Sequence, residues 1–245
     1  MRPVLFRWRT LTIWSYPAML YVGLLFGLGA GCLAAKVAGM NIFRVYLATM
    51  ILLVPALIGA RLLYVASEWK HYRREPRRIW NRREGGFMMY GSVPLMLLCS
   101  VPLLWILRVN FGSFWDVSTF TILVGMIFTR VGCLLNGCCA GRITHGPFGL
   151  YLPNHAGVWR KRIPSQILEI FCGAGLLLAA IVMRRRMPFP GALFLTALLS
   201  YCSVRLILEW LRERESHARQ SPVAYAMSAL FVLSSICALA FKWNP

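Results

Sequence analysis

Along the chain, long apolar runs alternate with short polar connections. Seven apolar stretches can be drawn, at about 11–37, 43–66, 87–107, 115–135, 165–183, 190–210 and 222–241. A helix needs about 20 apolar residues to cross the hydrocarbon core of a bilayer, and each stretch is close to that length. The pattern predicts an all-α polytopic membrane helix bundle of about seven transmembrane helices, built as a single integral membrane domain over residues 1–245. No repeat or soluble domain interrupts it. The first stretch follows Arg2, Arg7 and Arg9 in the manner of a secretory leader. It is too long for a leader's apolar core and lacks a small-x-small cleavage site, so it reads as an uncleaved first span. Its glycine spacings, Gly23/Gly27 and Gly27/Gly31, either let a second helix backbone approach closely or face lipid.

Two connections are longer than turns. Residues 67–86 (SEWKHYRREPRRIWNRREGG) form a basic segment with Trp69 and Trp80, suited to an arm lying in the membrane interface. Residues 136–164 (NGCCAGRITHGPFGLYLPNHAGVWRKRIP) form an extramembrane loop rich in Gly, Pro, His and aromatic residues. Long non-helical connections beside spans usually carry function or line a cavity. His145 and His155 in this loop read as solvated, and His71 and His217 sit in basic runs without a chemical role.

Composition sharpens this picture. Residues of the AVILMFWYC set make up 58% of the chain, charged residues only 14%, and the mean hydropathy is +0.61. A soluble chain of this composition would expose too much apolar surface. Lys and Arg number 27 against 8 Asp and Glu, a formal charge of +19. The charge lies in short runs between apolar stretches: Lys70–Arg83, Arg160–Arg162, Arg184–Arg186 and Arg212–Arg219. Such runs meet anionic headgroups at helix ends, and nucleic acid is not expected as a partner. Seven spans put the N-terminus and the connections at 67–86, 136–164 and 211–221 on one side. That side holds most of the Lys and Arg, so charge alone would place it in the cytoplasm.

Ionisable residues inside spans are costly and are functional hypotheses by default. Away from the outermost span ends they are Arg61, Arg130, Glu169, Arg205 and Glu209. Arg205 and Glu209 are four apart and share a helix face, which also suits a purely structural ion pair. Three arginines against two glutamates leave a positive excess in a low-dielectric site. That suits an anionic group, and guanidinium matches phosphate oxygens bidentately. The anion most available there is a phospholipid headgroup. Gln166 and Glu169 open the fifth span, either as favourable residues at a helix N-terminus or as support for Arg130.

Arg130 begins the string Arg130-Val131-Gly132-x-x-x-Asn136-Gly137-x-x-x-Gly141-Arg142, which resembles the signature of prolipoprotein diacylglyceryl transferases. Further pieces match in chain order. Tyr16 resembles the family's tyrosine in the first span. Gly59-Ala60-Arg61-Leu62-Leu63-Tyr64 is similar to its Gly-Gly-Arg-x-x-Tyr segment. Gly85-Gly86-Phe87-Met88-Met89-Tyr90-Gly91 is similar to Gly-Gly-Met-x-x-His-Gly. Ile163-Pro164-Ser165-Gln166-Ile167-Leu168-Glu169 is similar to His-Pro-Ser-Gln-Leu-Tyr-Glu. Arg205 to Arg212 resembles Arg-x-x-x-Glu-Phe-x-Arg. The resemblance runs from about residue 11 to 240.

The resemblance implies a seven-span inner-membrane enzyme without a cofactor. Such an enzyme moves the diacylglyceryl group of phosphatidylglycerol onto a lipobox cysteine thiol and releases glycerol-1-phosphate. The implied partners are phosphatidylglycerol or another anionic phospholipid, and a prolipoprotein. Carried over residue by residue, the catalytic set is Arg130, Arg205, Tyr90 and Glu209. Arg130 and Arg205 would clamp the leaving phosphate, and Glu209 would hold Arg205 in place. The substrate-binding set is Tyr16, Arg61, Cys133, Asn136, Gly137, Cys138, Gly141, Arg142, Gln166 and Glu169. The resemblance also implies an N-terminus outside the cytoplasm, against the charge count, and this is the orientation adopted.

Three positions depart from the family pattern. Tyr90 replaces a histidine, Cys133 an asparagine and Cys138 a glutamate. The loop after the fourth span is also short for the family's head region. These departures keep two alternatives open: a relative acting on another acceptor or phospholipid, and a non-catalytic lipid-binding subunit. Cys133, Cys138 and Cys139 read as small residues at a tight helix end, a disulfide, a nucleophilic thiol or a metal site of unusual spacing, and no metal is expected. The remaining cysteines (Cys32, Cys99, Cys172, Cys202 and Cys237) read as packing residues.

Overall fold

A computed structural model of the chain describes residues 4–8, 11–73, 75–80, 86–153, 157–211 and 220–243. Gly85, His155, Arg212 and His217 lie outside the described residues, as does the whole basic run from Arg212 to Arg219. All seven predicted spans are helices long and apolar enough to cross a membrane. They are α1 (Ser15–Val37), α2 (Ile42–Ser67), α4 (Ser92–Ile106), α5 (Phe111–Asn136), α6 (Ser165–Met183), α7 (Ala192–Leu211) and α8 (Gln220–Trp243). The protein is an all-α polytopic membrane bundle.

The helices begin and end where local chemistry requires. The side chains of Asn41 and Asn110 accept from the backbone N–H of Arg44 and Ser113, each at 3.0 Å, and so cap α2 and α5. α5 ends at Gly137, whose φ of 73° is a left-handed conformation that glycine adopts without steric cost. Inside α7's first turn, the N–H of Phe194 donates to Asp116 at 3.0 Å, and the N–H of Gly191 just before it donates at 2.7 Å. A carboxylate on α5 therefore satisfies the opening of a neighbouring helix. The apolar pattern had concealed Asp116 at the margin of the fourth span.

Two antiparallel hairpins lie outside the spans. β1 (Val4–Trp8) pairs with β2 (Leu11–Trp14), so the first helix starts at Ser15 rather than near residue 11. Leu11, Ile13 and Trp14 are apolar enough to extend the hydropathy run, but they join a hairpin of the aromatic and β-branched residues that favour strands. β3 (Leu150–Pro153) pairs with β4 (Trp159–Arg162) and gives the 136–164 loop its framework. The basic 67–86 segment contains a short helix α3 (Trp69–Tyr72) and a 3₁₀ turn at Pro76–Trp80.

α5 is the central helix and packs against α1, α6 and α7. Its first half forms the core: Phe114, Trp115, Phe120, Leu123 and Met126 pack with residues including Ala34, Ala48, Leu52, Leu193 and Phe194. The second half carries Arg130 and Cys133. α1 runs antiparallel to α5 with Gly23, Gly27 and Gly31 all buried at their interface. A Cβ at Gly27 would lie 2.8 Å from the backbone oxygen of Thr121, and one at Gly31 would lie 2.1 Å from the Thr121 hydroxyl. The glycine spacing in α1 is therefore a helix-contact motif, not a lipid-facing accident. Gly29, two residues away, would meet nothing within 4 Å.

A cavity of about 350 Å³ lies at the α5 N-terminal end, lined by residues that include Asp116, Phe120, Arg184 and Leu193. It contains none of the ionisable residues singled out in the spans. Gly27→Leu should separate α1 from α5 and cost about 1–3 kcal/mol, lowering the midpoint of thermal unfolding in detergent. Gly29→Leu should change stability by no more than about 0.5 kcal/mol.

Candidate lipid-phosphate site

The opposite end of the bundle brings three helices together around one carboxylate. Glu169, in the second turn of α6, is only 1% exposed. Its Oε2 meets Arg130 Nε of α5 at 2.5 Å, and its Oε1 accepts from Arg205 NH1 of α7 at 2.6 Å. Arg205 NH2 pairs with Glu209 Oε2, one turn further along α7, at 2.7 Å. Its Nε donates to the Tyr90 hydroxyl at 3.2 Å. Every nitrogen of Arg205 thus has a protein partner. Arg130 differs: its Nε meets the carboxylate in a contact that is not aligned as a hydrogen bond, and among the described residues no carboxylate is hydrogen-bonded to its terminal nitrogens. The Tyr201 hydroxyl lies beside Arg130 without completing one either.

Tyr90 sits in the 3₁₀ turn Met89–Gly91 that precedes α4. Its oxygen also accepts from Ser228 Oγ of α8 at 2.9 Å, and its ring stacks on Phe231 at 6.4 Å. The turn comes this close because Gly91 packs on Gly59 of α2, where a Cβ on either glycine would clash with the other's backbone oxygen. The site therefore draws on α5, α6, α7, α8 and the start of α4.

The signature loop is clamped from α6. Gln166 Nε2 donates to the Cys138 carbonyl at 2.7 Å, and Ser165 Oγ donates to the Cys139 carbonyl at 2.8 Å. Gln166 is 1% exposed and Ser165 fully buried. Gly137 and Cys139 both adopt positive φ, 73° and 61°, and fold the chain sharply back toward the end of α5. Gly141 packs on Ile163, and its N–H donates to the Ile163 carbonyl at 3.1 Å. Tyr16, half-buried at the start of α1, packs beside Gly132 and faces Arg130 and the cysteines. Asn136 is exposed at the end of α5. Arg142 lies over the Trp210 ring, 5.4 Å from its centroid.

Two expectations change. Arg61 does not join the cluster. Its guanidinium turns toward the basic segment, where it donates to the carbonyls of Ile79 (2.8 Å), Gly86 (2.9 Å) and Arg78 (3.3 Å) and to the Tyr72 hydroxyl (3.4 Å). A long side chain near a helix end can reach polar groups beyond the apolar zone, and Arg61 does so. It ties Tyr72, Arg78, Ile79 and Gly86 of that segment to α2, away from the cluster around Glu169. Without Arg61, two arginines face two glutamates, and the expected positive excess is absent from the four-residue cluster. Within this cluster and among the described residues, Arg130 is the cation whose terminal nitrogens are not hydrogen-bonded to a carboxylate.

The thiols also resolve in part. None of the three is in a disulfide, nor are the other five cysteines. A hydrogen bond with Cys133 lowers the Cys138 pKa, but a hydrogen bond with Cys139 and burial outweigh it and push the thiol up to about 11. A nucleophilic thiolate at Cys138 is therefore disfavoured near neutral pH. Several participants escaped the sequence reading. Tyr201 lies one turn before Arg205, a spacing that could have drawn attention to it. Ser228 carried no signal. Arg162 sat in a basic run yet is only 1% exposed.

Comparison with known proteins extends over the same residues. The sequence model of the prolipoprotein diacylglyceryl transferase family matches residues 3–241. The chain is 28% identical over 177 residues to phosphatidylglycerol–prolipoprotein diacylglyceryl transferase 2 of Clostridium perfringens, covering 68% of each protein. It is 27% identical over 212 residues to the phosphatidylglycerol–prolipoprotein diacylglyceryl transferase of Dehalococcoides mccartyi strain BAV1, covering 81% of this chain and 79% of that one. It is 26% identical over 223 residues to the protein of that name from Clostridium tetani, covering 86% of each. A match of this extent, spanning all seven helices and the clamped signature loop, makes the chain a member of the prolipoprotein diacylglyceryl transferase family.

Proposed function

We propose that this chain transfers the diacylglyceryl group of phosphatidylglycerol to the thiol of a lipobox cysteine in a bacterial inner membrane, with the site end of the bundle facing outward. The observation that carries the reading is the convergence of Arg130 and Arg205 on Glu169, with no carboxylate among the described residues hydrogen-bonded to the terminal nitrogens of Arg130. The acceptor sulfur attacks the glyceryl carbon that bears the phosphate. A C–S bond forms, the C–O bond to phosphate breaks, and glycerol-1-phosphate departs. The thiol proton passes to the departing phosphate, a monoester whose second pKa is near 6.

The side chains divide this work. Arg130 offers its terminal nitrogens to the phosphate, where charge grows as the C–O bond breaks; a preorganised donor at such a position contributes about 10²–10³ in rate. Arg205 acts through Glu169 and Tyr90 and is better described as a positioning residue than as half of a clamp. Tyr90 presents a hydroxyl already oriented by Arg205 and Ser228. Its oxygen accepts from both of them, which leaves the O–H to be donated to a phosphate oxygen. Gln166 and Ser165 hold the signature loop so that its backbone stays beside the headgroup.

The replacements at Tyr90, Cys133 and Cys138 favour one second reading, a relative that uses another acceptor. The two separate by complementation of a transferase-deficient strain. The unaltered chain is expected to complement. Failure, together with success of the Tyr90→His/Cys133→Asn/Cys138→Glu variant, would establish the second reading.

With labelled phosphatidylglycerol and a lipobox peptide in purified membranes, Arg130→Ala should lower peptide labelling by about 10²-fold or more. No label with the unaltered chain would mean a lipid-binding protein without turnover. Glu169→Ala leaves two buried arginines without their shared partner and should destabilise the protein by about 3–5 kcal/mol. This would be seen as a larger fall in unfolding temperature than Arg130→Ala produces.

A further inference from the structure

The signature loop and the end of α5 carry three thiols to which the proposed transfer assigns no chemical step. The sulfurs of Cys133, Cys138 and Cys139 all lie within 4.8 Å of one another. Cys133 comes from the last turns of α5, while Cys138 and Cys139 come from the turn that folds back on it. We propose that these three thiols form a binding site for one soft monovalent metal cation of the Cu(I) type.

The geometry supports three-coordinate binding. Thiolate sulfurs bonded to one metal ion at about 2.3 Å sit about 4 Å apart in a trigonal arrangement, so the trio closes with movements of about 1 Å or less. Among the described residues, no His, Asp or Glu joins the three sulfurs as a fourth ligand. Zinc almost always takes four ligands in structural sites, whereas a soft all-thiolate set selects Cu(I). The sulfurs are also preorganised. The backbone beneath two of them is clamped by Gln166 and Ser165, and Gly137 and Cys139 hold left-handed conformations that only a firmly supported turn retains. Access is open on one side, since Cys133 is buried while Cys138 and Cys139 are half-exposed.

Binding exchanges three protons for one metal ion. On binding, three S–H bonds break, three sulfur–metal bonds form and three protons leave to solvent. The metal keeps its oxidation state. The product is doubly negative, and Arg130, one turn from Cys133 on α5, lies beside it. The site uses cysteine at two of the positions where the family pattern has asparagine and glutamate, so it belongs to this chain's departures from that pattern. It shares Arg130 with the proposed lipid transfer, but metal uptake is read without reference to peptide labelling, so the two are tested apart.

The test uses the full chain in detergent, reduced and anaerobic, titrated with Cu(I) held by bicinchoninate. Two backgrounds are compared: the unaltered chain, and one in which Cys32, Cys99, Cys172, Cys202 and Cys237 are alanine. The second should withdraw one Cu(I) per chain. Adding Cys133→Ser, Cys138→Ser and Cys139→Ser to it should reduce uptake to none. X-ray absorption of the loaded unaltered chain should show three sulfur neighbours at about 2.3 Å. The proposal is overturned by fewer than three sulfurs around the metal, or by uptake that is equal with and without the trio.

Discussion

One carboxylate, buried in the bilayer, organises this end of the protein. Glu169 accepts a guanidinium from each of two other helices, and without it α5 and α7 would present two like charges to each other in a low-dielectric interior. Taking such groups out of water costs several kcal/mol per ion, recovered only through close and well-satisfied pairing. Glu209 completes the balance on Arg205, so the cluster is neutral and can persist in the membrane. Neutrality does not make it inert. Arg205 is fully engaged, whereas among the described residues no carboxylate is hydrogen-bonded to the terminal nitrogens of Arg130, and in the proposed function a lipid phosphate takes them up.

The surrounding fold follows from holding these side chains in register. The small-residue face of α1 lets α5 sit close to it, which sets the depth of Arg130 and places Tyr16 beside Gly132. The contact between Gly59 and Gly91 brings Tyr90 to Arg205. Ser165 and Gln166, in the first turn of α6, grip the carbonyls of the signature loop while Glu169, one turn later, grips the arginines. A single helix terminus therefore controls both the charged cluster and the loop that carries the three thiols.

The spans were legible in the sequence because hydrocarbon thickness imposes a length that few other structures share. The order and spacing of the motif string were enough to point to the family, and Arg130, Glu169 and Arg205 do converge. Other features were hidden for physical reasons. Apolar side chains in the Val4–Trp14 hairpin have the same hydropathy whether in strand or helix. Arg61 lies in a span, but nothing in its spacing tells whether its long side chain turns inward or out to the 67–86 segment, and that one orientation removes the expected positive excess. Glu169 could be noticed as an acid in a span, yet its position between two arginines depends on how α5, α6 and α7 pack. Ser228 is one of several serines in α8, and only the arrival of Tyr90 from another element distinguishes it.

The most direct measurement is the position of a bound headgroup. The protein would be reconstituted in nanodiscs of phosphatidylglycerol and its structure determined by electron cryomicroscopy. Phosphate density should lie about 3 Å from the terminal nitrogens of Arg130, with Glu169 still bridging Arg130 and Arg205. Headgroup density confined to another part of the bundle, with Arg130 closed on protein groups alone, would contradict the account.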